Sequence, residues 1–104
     1  MRTSILTLVL SAFMLRYVHA VLHSDGVCFD IVGGQNVYNE IVTRAACASY
    51  LQRNTGGEQW DTCPDCAMKV IGNLNVCHSD AWHIGGDELN HYCEKHGAGG
   101  SLAN

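Results

Sequence analysis

Six cysteines, Cys28, Cys47, Cys63, Cys66, Cys77 and Cys93, lie in a chain of 104 residues, all of them behind an apolar leader. The leader starts with Met1-Arg2, continues as an apolar run from Ile5 to Leu15, and closes on Val18-His19-Ala20. That is the order of a secretory signal peptide, with small or aliphatic residues three and one before a cut after Ala20. A membrane anchor needs about 20 apolar residues, and Arg16 interrupts this run too early. The expected organisation is therefore a signal peptide over residues 1–20 and one domain over 21–104. An even cysteine count in a short exported chain reads as three disulfides, with 15 pairings open. They matter energetically, because a chain of this size buries only about 60–65% of its unfolded surface.

Charge narrows the partners. Past the leader, Arg44, Arg53, Lys69 and Lys95 face ten Asp and Glu, a net of −6 with histidines neutral. No basic stripe exists to meet nucleic acid or an anionic membrane, so neither nucleic acid nor stable membrane insertion is expected. Five histidines (His23, His78, His83, His91 and His96) read as surface residues.

Taken in order, Val27 to Val32 alternates as a strand with Val27, Phe29 and Ile31 on one face. Gly33-Gly34-Gln35 ends it, and Asn36 caps an expected helix over Val37 to Arg53, with Val37, Ile41, Ala45, Ala48 and Leu51 as its core stripe. Asn54-Thr55-Gly56-Gly57 stops that helix. An irregular stretch follows from Glu58 to Asp65, then a strand from Cys66 to Ile71, a Gly72-Asn73 turn and a strand from Leu74 to Cys77. The segment from Cys77 to Gly97 holds a loop with Trp82 and a short helix. Asp87 is its expected N-cap, Leu89, Cys93 and His96 its inner face, and Gly97 its C′ residue, while Asn90 and Glu94 face water. The tail from Ala98 to Asn104 is a frayed end or a weak last strand. This order describes an α+β fold: a small disulfide-stapled sandwich, its antiparallel sheet of three to four strands packed with two helices on one face.

Three groups of residues could carry chemistry. Cys63-Pro64-Asp65-Cys66 is a C-x-x-C, but a strand rather than a helix follows it, so the thiol-activating helix N-terminus of a redox site is missing. Two structural cysteines bridging to different partners are expected there instead. Cys63, Cys66, Cys77 and His78, with His91, Cys93 and His96, are zinc-type ligands, yet an oxidising compartment favours disulfides and no finger spacing fits. No metal and no cofactor are expected. Asp87 and Glu88 with His83 and His91 could imitate an acid–base group, but capping and solvation explain the same residues, and no catalytic set is expected.

Cys66-Ala67-Met68 ahead of a hairpin, Cys77-His78-Ser79, and Ile84-Gly85-Gly86-Asp87-Glu88-Leu89 running to Tyr92-Cys93 and Gly97-Ala98 resemble small secreted effectors of plant-associated fungi. These in turn resemble the killer toxins of smut fungi known as killer protein six. The resemblance implies an α/β sandwich held by disulfides, secretion into host tissue or a competitor's surroundings, and no catalytic residues to carry over. The short glycine-rich end and the acidic balance depart from it. The expected function is a non-enzymatic effector in the extracellular space or host apoplast, with an unknown protein or glycan target on a host or microbial surface. An antimicrobial or killer toxin is the first alternative and a C-x-x-C thiol–disulfide oxidoreductase the second.

Overall fold

The computed structural model describes residues 21–104. The expected signal peptide lies outside the described residues. The elements are β1 (Leu22–His23), β2 (Asp25–Val32), β3 (Gln35–Tyr38), α1 (Glu40–Leu51), a 3-10 turn (Gln59–Asp61), β4 (Ala67–Ile71), β5 (Leu74–His78), β6 (Ile84–Gly85), α2 (Gly86–Lys95) and β7 (Gly100–Ala103). This is a disulfide-stapled α+β fold. Its sheet has five strands, one more than the upper expectation, and β1 and β6 form a separate two-stranded ribbon.

Strand β2 is the hub. Gly26 is paired with both Cys77 of β5 and Ala103 of β7, and Phe29 with both Tyr38 of β3 and Gly100 of β7. A strand residue has two edges, so β7 runs along one edge of β2 while β5 and β3 share the other in turn. Hairpin β4–β5 then extends the sheet from β5, with Ile71 opposite Leu74 across the Gly72-Asn73 turn as expected. The tail is the last strand, and its glycines have a reason. Phe29 leans onto Gly100 and Ile31 onto Gly99, where a Cβ would come within about 3 Å of each.

Register also shows where the helices sit. Gly26 and Cys28 share a face of β2, and Cys77 lies opposite Gly26. Cys28 is bridged to Cys93 of α2, and Cys77 to Cys47 of α1. Both helices therefore cover this one face. The core-facing side of β2 is Gly26 and Cys28, both buried, and Val27, Phe29 and Ile31 point the other way.

The first helix differs from expectation. Gly33 and Gly34 both have positive φ, 57° and 79°, and make a two-residue hairpin turn whose return strand is β3. Residues 35–38 are thus strand, and the cap moves from Asn36 to Asn39, whose Oδ1 accepts from Val42 N–H at 2.9 Å. The buried face becomes Val42, Thr43, Ala46, Cys47 and Tyr50. Ile41 from the expected stripe is 82% exposed.

Helix α2 holds Leu89 and Cys93 inside as expected. Its N-cap is Gly85, with no side-chain cap, so Asp87 serves in the first turn near the positive end of the helix instead. At the other end the amides of Gly97 and Ala98 reach the carbonyls of Glu94 and Cys93 (3.0 and 2.9 Å), a Schellman closure. Two face assignments change. His96 is exposed and meets Ser49 Oγ of α1 at 2.8 Å, and Asn90 is half-buried, its Oδ1 accepting from Ser101 Oγ at 3.2 Å.

Candidate functional site

All six cysteines are bridged, as Cys28–Cys93, Cys47–Cys77 and Cys63–Cys66. The third pairing corrects the expectation of different partners. The amide of Cys66 bonds the carbonyl of Cys63 at 3.1 Å, and this tight turn brings the two Cα atoms to 5.3 Å, within bridging reach. The strand after Cys66 is as expected, so no helix N-terminus lies behind the pair. Cys63 is fully buried and Cys66 nearly so, whereas an exchange site presents its attacking sulfur to solvent.

The C-x-x-C loop anchors a second loop. Asp65 Oδ1 accepts from Ser79 Oγ at 2.7 Å, and its Oδ2 from Ala81 N–H at 2.9 Å. Burial pushes the Asp65 carboxyl up, but these two hydrogen bonds outweigh it and hold its pKa below the ordinary value. Ser79, fully buried, also accepts from His83 N–H at 2.9 Å, and its own amide donates to Ser24 carbonyl at 2.8 Å. Gln59 Nε2 donates to Ala81 carbonyl at 3.0 Å, and His83 Nδ1 to Gln59 carbonyl at 2.8 Å.

Below this loop Tyr50 is fully buried. Its hydroxyl accepts from Gly85 N–H at 3.1 Å and faces the carbonyls of Trp60 and His83. Burial pushes its phenol up to about 12, so it stays a neutral donor.

What the network holds is Trp82. Its φ is 59°, the only positive value at a non-glycine residue among those described, and its side chain is 53% exposed. A bulky residue in the left-handed region is strained by about 1–3 kcal/mol and persists only where its surroundings over-determine it. Here the flanking amides and carbonyls are tied down on both sides, so an indole is presented to solvent from a rigid loop.

A second surface is the sheet face that the helices leave open. Val27, Ile71, Leu74 and Leu102 line a shallow groove of about 280 Å³ floored by Val76. Ile71, Leu74 and Leu102 are each more than two-fifths exposed. At its end Asp25, Asp80 and His78 form a charged clamp, with His78 Nδ1 2.6 Å from Asp25 and Nε2 2.7 Å from Asp80.

The other candidates are not brought together. No hydrogen bond joins Asp87, Glu88, His83 and His91 among the described residues. His91 stacks edge-on against Tyr92, and Cys93 is committed to Cys28. His78 lies one residue from Cys77 on the opposite face of β5 and is held by carboxylates. Of the zinc-type ligands weighed in the sequence only Cys66 and Cys77 come together, and the third sulfur beside them is that of Cys47. Asp65, Ser79 and Tyr50 were not visible as site residues in sequence. Each is an ordinary polar letter whose role comes from a partner 14 or more positions away.

The family model described as biotrophy-associated secreted protein 4 matches residues 21–101, which is nearly all of the described domain. No curated protein and no solved structure matches the chain. No helix among the described residues is long and apolar enough to cross a membrane.

Proposed function

Because the chain belongs to the biotrophy-associated secreted protein 4 family, we propose that it is a fungal effector, exported to act on a living host by binding rather than by catalysis. Residues 1–20 are a leader in this reading, cut after Ala20. The observation that carries the binding role is Trp82, exposed and strained on a loop braced by Asp65, Ser79 and Gln59. Exposed aromatic anchors on rigid supports dominate binding energies at protein interfaces. The open apolar sheet face adds contact area that suits an apolar protein surface better than a sugar or a polyanion.

The test uses oxidised protein beginning at Val21, applied to living plant tissue and, in parallel, to yeast and bacterial cultures. A host response, or improved colonisation, that Trp82→Ala abolishes while the melting temperature stays within a few degrees is the expected result. Growth inhibition of the microbes with no host effect would make the protein a killer toxin, the first alternative drawn from its sequence. Dimerisation that Leu102→Asp abolishes would assign the open face to a second copy. Binding on a glycan array would move the target to carbohydrate.

A further inference from the structure

Cys66 Sγ lies 3.7 Å from Cys77 Sγ, although each is bonded to a different cysteine. The Sγ atoms of Cys47, Cys66 and Cys77 all lie within 4.8 Å of one another, and Cys63 Sγ is 2.03 Å from that of Cys66. Two disulfides thus pack against each other so that three sulfurs meet at one buried spot, with Cys63 joined to it through Cys66, each residue 4% exposed or less. We propose that, after reduction, Cys47, Cys63, Cys66 and Cys77 form a four-thiolate site for a soft divalent ion, zinc in the first instance.

The geometry fits such an ion. Zinc binds thiolates at about 2.3 Å in a tetrahedron, whose edges are then about 3.8 Å. The unbonded Cys66–Cys77 contact already has that length. Cys47 and Cys77 need only separate to it once their bond is broken, and Cys63, released from Cys66, must turn in toward the other three. Two ligands come from a C-x-x-C turn, as in many structural zinc sites, and two from separate elements, Cys47 on α1 and Cys77 on β5. His78 is not among the ligands, because Asp25 and Asp80 hold it on the opposite face.

The same distances disfavour a simple exchange relay. A Cys66 thiolate attacking Cys77 would approach along the Cys47–Cys77 bond axis, which would put it well beyond 4.8 Å from Cys47. Its actual position is to the side of that bond, where it completes a cluster.

The chemistry balances with a dithiol reductant. Two dithiols break the two S–S bonds, becoming disulfides themselves and leaving four protein thiols, and zinc then displaces their protons as thiolates form. A disulfide joins α1 to β5 in an oxidising compartment, and metal would join both of them and the C-x-x-C loop in a reducing one.

The experiment reduces the whole secreted protein with a phosphine under anaerobic conditions and titrates it with Co²⁺, then Zn²⁺. The expected result is one equivalent of cobalt with the absorption of a tetrahedral tetrathiolate, displaced by zinc, together with near-ultraviolet circular dichroism close to that of the oxidised protein. Cys28→Ser/Cys93→Ser should leave the cobalt spectrum unchanged. Cys47→Ser and Cys66→Ser should each weaken zinc binding at least tenfold. Cobalt absorption indifferent to Cys47→Ser and Cys66→Ser would overturn the proposal. So would metal uptake with no recovery of the near-ultraviolet signal, since any unfolded chain with thiols can bind metal.

Discussion

Thr43 shows how one polar side chain can couple a helix to a sheet. It is fully buried in α1, and its Oγ1 accepts from Cys28 N–H of β2 at 2.8 Å while donating to Asn39 carbonyl at 2.7 Å. Thr43→Val keeps the shape and leaves a buried amide without its acceptor, which costs about 1–3 kcal/mol. Denaturant titration should read that loss, and an unchanged midpoint would show that the amide finds another partner. The clamp at His78 is electrostatic instead. Hydrogen bonds to Asp25 and then Asp80 raise the imidazole above 6.5. For Asp25, burial works upward, but the bonds from His78 and Ser24 prevail and lower it below 3.8. A raised histidine stabilises below 6.5 and loses that contribution as pH rises through its folded value. A lowered carboxylate stabilises above 3.8 and loses it as pH falls through its own. In the oxidised protein the clamp is therefore at full strength between these two values. Melting temperature should decline as pH is raised from 6.5 into the alkaline range, and Asp25→Asn should flatten that decline.

At the scale of elements, α2 meets the sheet through Leu89 and Gly26. A Cβ on Gly26 would sit 2.2 Å from Leu89 Cδ2, so the glycine is there to let the leucine lie flat on β2. Leu89→Ala should cost about 2–4 kcal/mol, against about 0.5 kcal/mol or less for the exposed Glu94→Ala. Gly26→Ala alone should also destabilise, because the new methyl collides with Leu89. In the Leu89→Ala background the same methyl enters the space left behind, so the two losses should not add. Thermal melts of the four proteins in a double-mutant cycle test this, and strict additivity would mean that the contact carries no coupling energy.

For the molecule as a whole, the three bridges differ most in the loops they close. Cys28–Cys93 spans 65 positions, Cys47–Cys77 spans 30 and Cys63–Cys66 only 3. Chain entropy assigns about 4 kcal/mol to the longest and about 2 kcal/mol to the shortest. Replacing Cys28 and Cys93 by Ala should therefore lower stability more than replacing Cys63 and Cys66. Chemical denaturation of the two double variants under oxidising conditions compares them directly. The reverse order would mean that the C-x-x-C bridge matters chiefly by bracing Asp65 and the Trp82 loop.

Local signals carried much of this. Cysteine number pointed to a bridged domain, because an even count in a short chain is a property of composition. The Gly72-Asn73 hairpin, the start of β4 after Cys66 and the Gly97 closure of α2 were legible because a turn or a helix end is decided within a few residues. The phase of α1 was not. Gly33-Gly34 reads equally as a breaker and as a hairpin turn, and only the pairing of β3 with β2 decides, which shifts the cap to Asn39 and turns Ile41 outward. The last strand exists because β2 has a free edge for it, whatever its own weak propensity. Disulfide partners, the meeting of the Cys47, Cys66 and Cys77 sulfurs and the strain at Trp82 were beyond the sequence for the same reason. Each depends on groups far apart along the chain, and their distances are set only when both helices are packed on one face of the sheet.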